Sequence, residues 1–263
     1  MLGKLFKHDF KNLGAFYLPV YLIYVGVTAA FTLFLVIGIN SSSTFMENDI
    51  FSLLFGIITF VYVLAMIALI LFSGLIVVYY FYRKFVTEEA YLTMTLPVSP
   101  FQHILSKLLA SALWRLFTWI LFGVSIYLIL LATGAMKEIG NNITVQFAFR
   151  SIWYQLKYEL GMNAGAMVLT VIYGIITLLT SPLIYFASMS IGQMAGKHKV
   201  LMSVAAFVVI NIVVTFLTAN ISLLELQSEA FGFMILAIIE CIITTAIYYG
   251  ITVYFLGREL NLE

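Results

Sequence analysis

Long apolar stretches dominate this chain, and its polar residues are concentrated in the segments between them. A helix needs about 20 apolar residues to cross the hydrocarbon core of a bilayer. Six stretches meet that requirement, at residues 17–39, 53–80, 108–134, 164–190, 200–220 and 231–256. The pattern predicts an all-α integral membrane fold with six transmembrane helices, built as a single transmembrane domain over residues 1–263.

Residues 1–16 follow a different pattern, in which apolar and polar side chains fall on opposite sides of a helix. The apolar side carries Leu2, Leu5, Phe6, Phe10 and Leu13. The opposite side carries Lys4, Lys7, His8, Lys11 and Asn12. This division predicts an amphipathic helix that lies in the membrane interface and precedes the first span.

A second amphipathic pattern occurs in the polar segment 135–162, between the third and fourth spans. Its apolar residues recur at helical spacing, at Phe149, Ile152, Trp153, Leu156 and Leu160. The pattern predicts an interfacial helix in this loop, and membrane anchoring is the simplest role for both amphipathic segments.

The basic residues are distributed unevenly between the two sides of the predicted membrane domain. With both termini cytoplasmic, nine of them flank the inner side, at Lys4, Lys7, Lys11, Arg83, Lys84, Lys107, Lys197, Lys199 and Arg258. The outer side has three, at Lys137, Arg150 and Lys157. Because short loops rich in Lys and Arg stay in the cytoplasm, the sequence predicts cytoplasmic termini and an extracellular 135–162 loop. The expected location is a plasma membrane, most simply that of a bacterium.

The composition excludes a soluble fold. The chain is 63% hydrophobic and 10% charged, whereas an average globular domain is about 25% charged. The net charge of +1 gives no electrostatic reason to expect a nucleic-acid partner. Membrane lipid is therefore the expected surrounding, and no nucleic acid is expected to bind.

No catalytic or metal-binding pattern stands out in the sequence. The single cysteine, Cys241, excludes an intrachain disulfide. The three histidines lie at no ligand spacing on predicted cytoplasmic flanks and are expected to be solvated: His8, His103 and His198. The glycines before Lys197 lack the spacing of a phosphate-binding loop. The chain itself is therefore not expected to be an enzyme or to bind a metal.

Glu240 lies near the middle of the sixth span, where a charged side chain is costly. One interpretation is a residue of a transport pathway, which would contact a cationic or polar group of a substrate or relay a proton. The other is a polar clamp between helices, either neutral or paired with Arg115. The expected depths of Glu240 and Arg115 in their spans argue against that pair.

The segment at residues 83–101, between the second and third spans, is unusual for a loop. It is partly apolar and favours a helix up to Leu96, which Pro97 and Pro100 then stop. It also carries two acidic residues and an aromatic residue, Glu88, Glu89 and Tyr91. A short helix of this kind between two spans is a plausible docking element for a soluble partner.

This segment resembles the cytoplasmic loop of permease subunits of type-2 ATP-binding-cassette exporters. The matching positions are Glu88, Glu89, Tyr91, Leu92, Thr95, Leu96, Pro97, Val98 and Ser99, followed by Ser106, Lys107, Leu108 and Leu109. The resemblance extends to the topology of the whole chain, with a basic amphipathic N-terminus, six spans and both termini inside. It differs from relatives with re-entrant helices between spans five and six, because residues 220–230 leave no room for them.

The resemblance implies two protein partners, an ABC ATPase subunit and a second permease subunit in a homo- or heterodimer. ATP and Mg would bind the ATPase, and this chain would carry no cofactor. Residues 83–101 would form the coupling helix, with Glu88, Glu89 and Tyr91 facing the ATPase. Leu92 and Leu96 would pack that helix against the spans, and residues 1–16 would form the connecting helix.

The expected function is therefore that of a membrane-spanning permease subunit, which couples ATP hydrolysis on a separate subunit to substrate efflux. The alternative, from a different functional class, is a membrane sensor or assembly scaffold that has the same fold and transports nothing.

Overall fold

A computed structural model describes residues 2–40, 49–85, 100–133, 150–151, 154, 164–195, 198–227 and 230–258. Within these ranges the chain forms helices and no strand. The six long helices are α1 (Leu2–Asn40), α2 (Asp49–Phe85), α3 (Pro100–Ala132), α4 (Ala164–Gly192), α5 (Lys199–Gln227) and α6 (Ala230–Arg258).

Each of these six helices contains a stretch that is long and apolar enough to cross a membrane. The prediction of an all-helical fold with six helices able to span a membrane is therefore confirmed for the described residues. The surface of the protein also agrees with a membrane environment. Large apolar side chains such as Leu22 (71% exposed) and Phe216 (81% exposed) lie on it. A surface of this kind suits lipid tails rather than water.

The start of α1 differs from the predicted arrangement of a separate interfacial helix followed by a span. Residues 2–16 are the first turns of α1, which continues through Pro19 to Asn40 as one helix. Lys4 and Lys7 are exposed, whereas Leu13 is fully buried. The amphipathic pattern therefore belongs to the first turns of a long helix.

Two further boundaries differ from those expected. Helix α3 begins at Pro100, earlier than the predicted residue 108, and so includes Lys107 within its early turns. The predicted fifth span ends at residue 220, whereas α5 extends to Gln227, and α6 begins at Ala230. The run Leu223 to Leu226 consists of good helix formers, which explains the longer α5.

Helix α4 runs through Pro182 without a break. Proline has no N–H to donate to the carbonyl four residues earlier, which here belongs to Leu178. The hydroxyl of Ser181 donates a long hydrogen bond of 3.5 Å to that carbonyl oxygen. A neighbouring side chain thus partly replaces the backbone bond that proline removes.

The chain divides into two compact units. Unit 1 comprises Met1–Leu13, Val77–Leu113 and Trp153–Glu263. Within it, α4 packs against both α5 and α6, and the Phe81 and Phe186 rings stack with their centroids 4.1 Å apart. Phe81, Leu183 and Phe186 are almost completely buried in this unit.

Unit 2 comprises Gly14–Ile76 and Trp114–Ile152. Its core is rich in aromatic residues that also form hydrogen bonds. The hydroxyl groups of Tyr24 and Tyr62 lie 2.5 Å and 3.2 Å from Ser125 Oγ, and the Tyr62 ring stacks on Phe31. Buried tyrosines need such partners for their hydroxyl groups. This network supplies them inside an apolar helix bundle.

Candidate functional site at the base of the α2–α3 segment

A buried carboxylate, Asp9, joins the first turns of α1 to α2 and α3 within unit 1. The Tyr80 hydroxyl of α2 donates to Asp9 Oδ1 at 2.7 Å. The Ser106 hydroxyl of α3 donates to Asp9 Oδ2 at 2.5 Å, and Lys107 Nζ lies 3.6 Å from the same oxygen. We call Asp9, Tyr80, Ser106 and Lys107 the Asp9 cluster.

The charges of the Asp9 cluster balance one another in a place that water scarcely reaches. Asp9 and Lys107 are each 2% exposed. Lys107 Nζ also lies 5.0 Å from the centroid of the Phe85 ring, within the range of a cation–π interaction. A buried ion is tolerated when it is paired and hydrogen-bonded, and the cluster supplies both kinds of contact.

The end of α2 and the beginning of α3 are fixed by further contacts in unit 1. The Gln193 side-chain amide, just beyond α4, donates to the Phe85 carbonyl oxygen at 2.7 Å. The Tyr249 hydroxyl of α6 donates to the Phe101 carbonyl oxygen at 3.2 Å, and the two rings of that pair meet edge to face. The helix ends on either side of residues 86–99 are thus attached to residues that follow later in the chain, Gln193 after α4 and Tyr249 in α6.

His103 is buried beside this cluster, which corrects the prediction that it would be solvated. It is 1% exposed, one helical turn before Lys107 in α3. Neither ring nitrogen has a hydrogen-bond partner among the described residues. The prediction failed because α3 begins earlier than expected and carries His103 into the packed part of unit 1. His8, by contrast, is exposed as predicted.

The residues predicted to dock an ATPase lie outside the described residues. These are Glu88, Glu89, Tyr91, Leu92 and Leu96. The structure describes the chain on either side of them, up to Phe85 and from Pro100. The proposed contacts of these residues therefore stay predictions. The contacts that hold the end of α2 and the beginning of α3 are those described above.

Glu240 and Arg115, the other predicted site residues, belong to different parts of the fold. Arg115 is a half-buried residue of α3 in unit 2. Glu240 is a half-buried residue of α6 in unit 1. It lines a cavity of about 400 Å³ between α4 and α6. The other lining residues are Thr170, Tyr173, Phe233, Met234, Ala237, Cys241 and Thr244.

Asp9 was not predicted to belong to the candidate site, although the sequence contains a signal for its burial. It lies three residues after Phe6 and four before Leu13, and residues at these spacings share one side of a helix. An acidic residue in the middle of the apolar side of residues 1–16 calls for a buried partner. The identity of that partner depends on which helices pack together.

Within the described ranges, no group of three or more His, Cys, Asp or Glu side chains is placed to hold a metal ion. Comparisons with known proteins find no match to this chain among family models, curated proteins or solved structures.

Proposed function

We propose that this chain is the membrane-spanning permease subunit of an ATP-driven exporter of the ATP-binding-cassette type. The observation that carries the proposal is the acidic–Tyr–Leu and Thr–Leu–Pro–Val–Ser pattern at residues 88–99, between α2 and α3. Six apolar helices and the absence of a phosphate-binding sequence fit a subunit that depends on an ATPase from another chain.

The Asp9 cluster supports this role because it connects the two helices that flank residues 86–99 to each other and to α1. Tyr80 and Ser106 lie on opposite sides of the segment in sequence, and both donate to Asp9. A force applied to residues 86–99 would therefore act on α1, α2 and α3 together. Each of these helices continues from unit 1 into unit 2, so the force would reach the membrane-spanning parts of all three.

In this proposal the segment forms the coupling helix, with Glu88, Glu89 and Tyr91 against the ATPase subunit and Leu92 and Leu96 against the spans. The ATPase binds ATP and Mg, and a second permease subunit completes a homo- or heterodimer. The first turns of α1 lie in the cytoplasmic interface, and both termini are cytoplasmic in a plasma membrane. Closure of the ATPase switches a cavity at the middle of the membrane between inward- and outward-open forms.

Charge reversal tests the docking assignment. The chain is co-expressed with an ABC ATPase subunit from the same organism, and the double variant Glu88→Arg/Glu89→Arg is compared with the unmodified chain in an affinity pull-down. We expect loss of most of the bound ATPase, because reversed charges repel the surface that the acids contact. The matched control is Glu138→Arg/Glu159→Arg, which makes the same charge change in the segment 135–162.

Unchanged ATPase binding in the Glu88/Glu89 variant, with unchanged transport, contradicts the docking assignment. Equal loss of binding in the control variant also contradicts it, since the effect would then follow from net charge alone. Both variants must reach the membrane in equal amounts, which a blot of the membrane fraction measures.

A further inference from the structure

The cavity that Glu240 lines has the size and lining of a site for a small organic ligand. Its volume is about 400 Å³, within the range of about 300–1,000 Å³ that such pockets occupy. Aromatic and apolar side chains form much of the lining, including Tyr173, Phe233 and Met234. Glu240 supplies a formal negative charge to this lining.

Two threonine hydroxyl groups in the cavity lining, those of Thr170 and Thr244, donate their hydrogens within their own helices. Thr170 Oγ1 donates to the Ala166 carbonyl oxygen at 2.9 Å and has Met234 Sδ as a second acceptor at 3.7 Å. Thr244 Oγ1 donates to the Cys241 carbonyl oxygen at 3.0 Å. Each threonine oxygen is therefore left with acceptor capacity only. An ionised Glu240 is also an acceptor, so these groups favour a ligand that brings hydrogen-bond donors.

The position of the carboxylate favours a charged ligand of opposite sign. Glu240 lies ten residues after Ala230, the first residue of α6. At 1.5 Å per residue this is a distance of roughly 15 Å along the helix axis, about half of a hydrocarbon core of roughly 30 Å. Carboxylates at such a depth usually face the interior of a bundle or a cavity and mark pathways for ions or substrates. The neighbouring aromatic residues can add cation–π attraction.

We infer that this cavity between α4 and α6 binds a lipophilic organic monocation with N–H donors, that is, a protonated amine with an apolar body, and that Glu240 is its counter-ion. The acceptor groups of Thr170 and Thr244 receive the N–H donors, and Tyr173 and Phe233 contact the apolar body. That this amine class includes the exported substrate rests on the proposed exporter function. Binding itself requires no ATPase.

Cys241 provides a reporter inside the cavity. It is the only cysteine in the sequence and is part of the cavity lining, so thiol labelling of the purified chain reports on this site alone. The probes are 2-aminoethyl methanethiosulfonate, a cation, and 2-sulfonatoethyl methanethiosulfonate, an anion. The rate at which each reagent labels Cys241 is measured in an uncharged detergent. It is divided by the rate of the same reagent with free 2-mercaptoethanol, which corrects for intrinsic reactivity. The quotient of the two corrected rates measures the electrostatic preference of the cavity.

In the unmodified chain we expect the cationic reagent to be favoured by about tenfold, as one unit charge within a few ångströms in a low-dielectric site allows. Glu240→Gln keeps the shape and removes the charge, and should bring the preference close to one. Glu138→Gln removes a carboxylate from another segment and should leave the preference unchanged. An equal preference in the unmodified chain and Glu240→Gln, or no labelling of the unmodified chain by either reagent, would overturn the inference.

Protection from labelling tests the ligand class directly. We expect 2-phenylethylammonium chloride to slow labelling of Cys241, and the neutral 2-phenylethanol to be at least about tenfold less effective, equivalent to about 1.4 kcal/mol. If Glu240→Gln does not fold, Thr170→Val provides the second variant. We expect it to retain the preference for the cationic reagent and to show several-fold weaker protection by the amine. Equal protection by amine and alcohol would contradict the inference and leave Glu240 as a polar clamp between helices.

The two proposals fail separately in these experiments. Loss of charge preference or amine protection in a chain that still binds its ATPase overturns the amine site alone. A chain that shows both properties but binds no ATPase contradicts the exporter function and leaves the amine site intact.

Discussion

Lys107 of α3 and Asp9 of α1 form an ion pair with 3.6 Å between Lys107 Nζ and Asp9 Oδ2, and both side chains are almost completely buried. Two of the most polar side chains of the chain thus meet inside an apolar helix bundle. The pair ties the first turns of the chain to the beginning of α3, where the predicted coupling segment ends.

Removing one member of this pair should destabilise the chain more than removing both. Asp9→Asn or Lys107→Met alone leaves the other charge buried without its partner, at a cost of about 3–5 kcal/mol. The double variant Asp9→Asn/Lys107→Met removes both charges and should recover a large part of that loss. The free energy of unfolding of the purified chain in mixed micelles measures all three.

The control for this cycle is Lys7→Met, since Lys7 is exposed on the same helix as Asp9. Its effect should stay within about 0.5 kcal/mol, as for most surface substitutions. Additive effects of Asp9→Asn and Lys107→Met would show that the two side chains do not interact, and would contradict the cluster described here.

Gly192 at the end of α4 permits a close approach to the beginning of α5. A Cβ atom at this position would lie 2.7 Å from the Ser203 backbone nitrogen and 2.8 Å from the Lys199 carbonyl oxygen, and closer still to Ser203 Oγ. Backbone atoms cannot rotate away, so Gly192→Ala should cost about 1–3 kcal/mol. The free energy of unfolding in mixed micelles checks this value.

Gly174 in the same helix is the matched control, because a Cβ atom there would meet nothing within 4 Å. Gly174→Ala should be neutral or stabilise the helix by up to about 1 kcal/mol. A stable Gly192→Ala variant would show that α4 and α5 do not approach as closely as described.

Trp114 packs against the Gly14 position in unit 2. A Cβ atom on residue 14 would lie 2.8 Å from Trp114 Cζ2, and the Trp114 ring is already stacked on Tyr17 with centroids 5.3 Å apart. Gly14→Ala should therefore displace the indole and cost about 1–3 kcal/mol. Near-ultraviolet circular dichroism should register the loss of the stacked pair.

The comparison for this substitution is Gly26→Ala in the same helix, where the added Cβ would meet nothing within 4 Å. An unchanged aromatic spectrum in both variants would contradict the packing of Trp114 against Gly14. A changed spectrum in both would point to a general effect of alanine on α1.

The predicted topology can be tested with alkaline phosphatase, which is active only outside the bacterial cytoplasm. Fusions after Val145, in the segment predicted to be extracellular, should be active. Fusions after Ala90 and after Glu263 should be inactive, because the flanks there carry the excess of basic residues. Activity at Ala90 or Glu263 would reverse the orientation and would exclude residues 83–101 as a cytoplasmic docking segment.

The six spans could be predicted from the sequence because apolar length is a local property. The stretch 231–256, for example, differs little from the span Gly232–Leu256. The boundary of α3 could not be placed in the same way. Lys107 looked like a flanking charge, and its burial depends on Asp9, which lies in another helix.

The Asp9 cluster required contacts that a sequence does not provide. Ser106 is 97 residues from Asp9, and helical spacing alone indicates only that Asp9 needs a partner. The cavity beside Glu240 was beyond prediction for the same reason. The sequence places a carboxylate within a span, but the lining by Thr170 and Tyr173 depends on the packing of α4 against α6.

Whether this chain forms a stable complex with an ATPase subunit is the most direct test of its function. The measurement is the native mass of the purified complex after co-expression with an ABC ATPase subunit from the same organism. The proposed function predicts ATPase subunits bound to a dimer of permease subunits, and loss of the ATPase in Glu88→Arg/Glu89→Arg. A mass that corresponds to this chain alone, with the ATPase present in the same membranes, would contradict it.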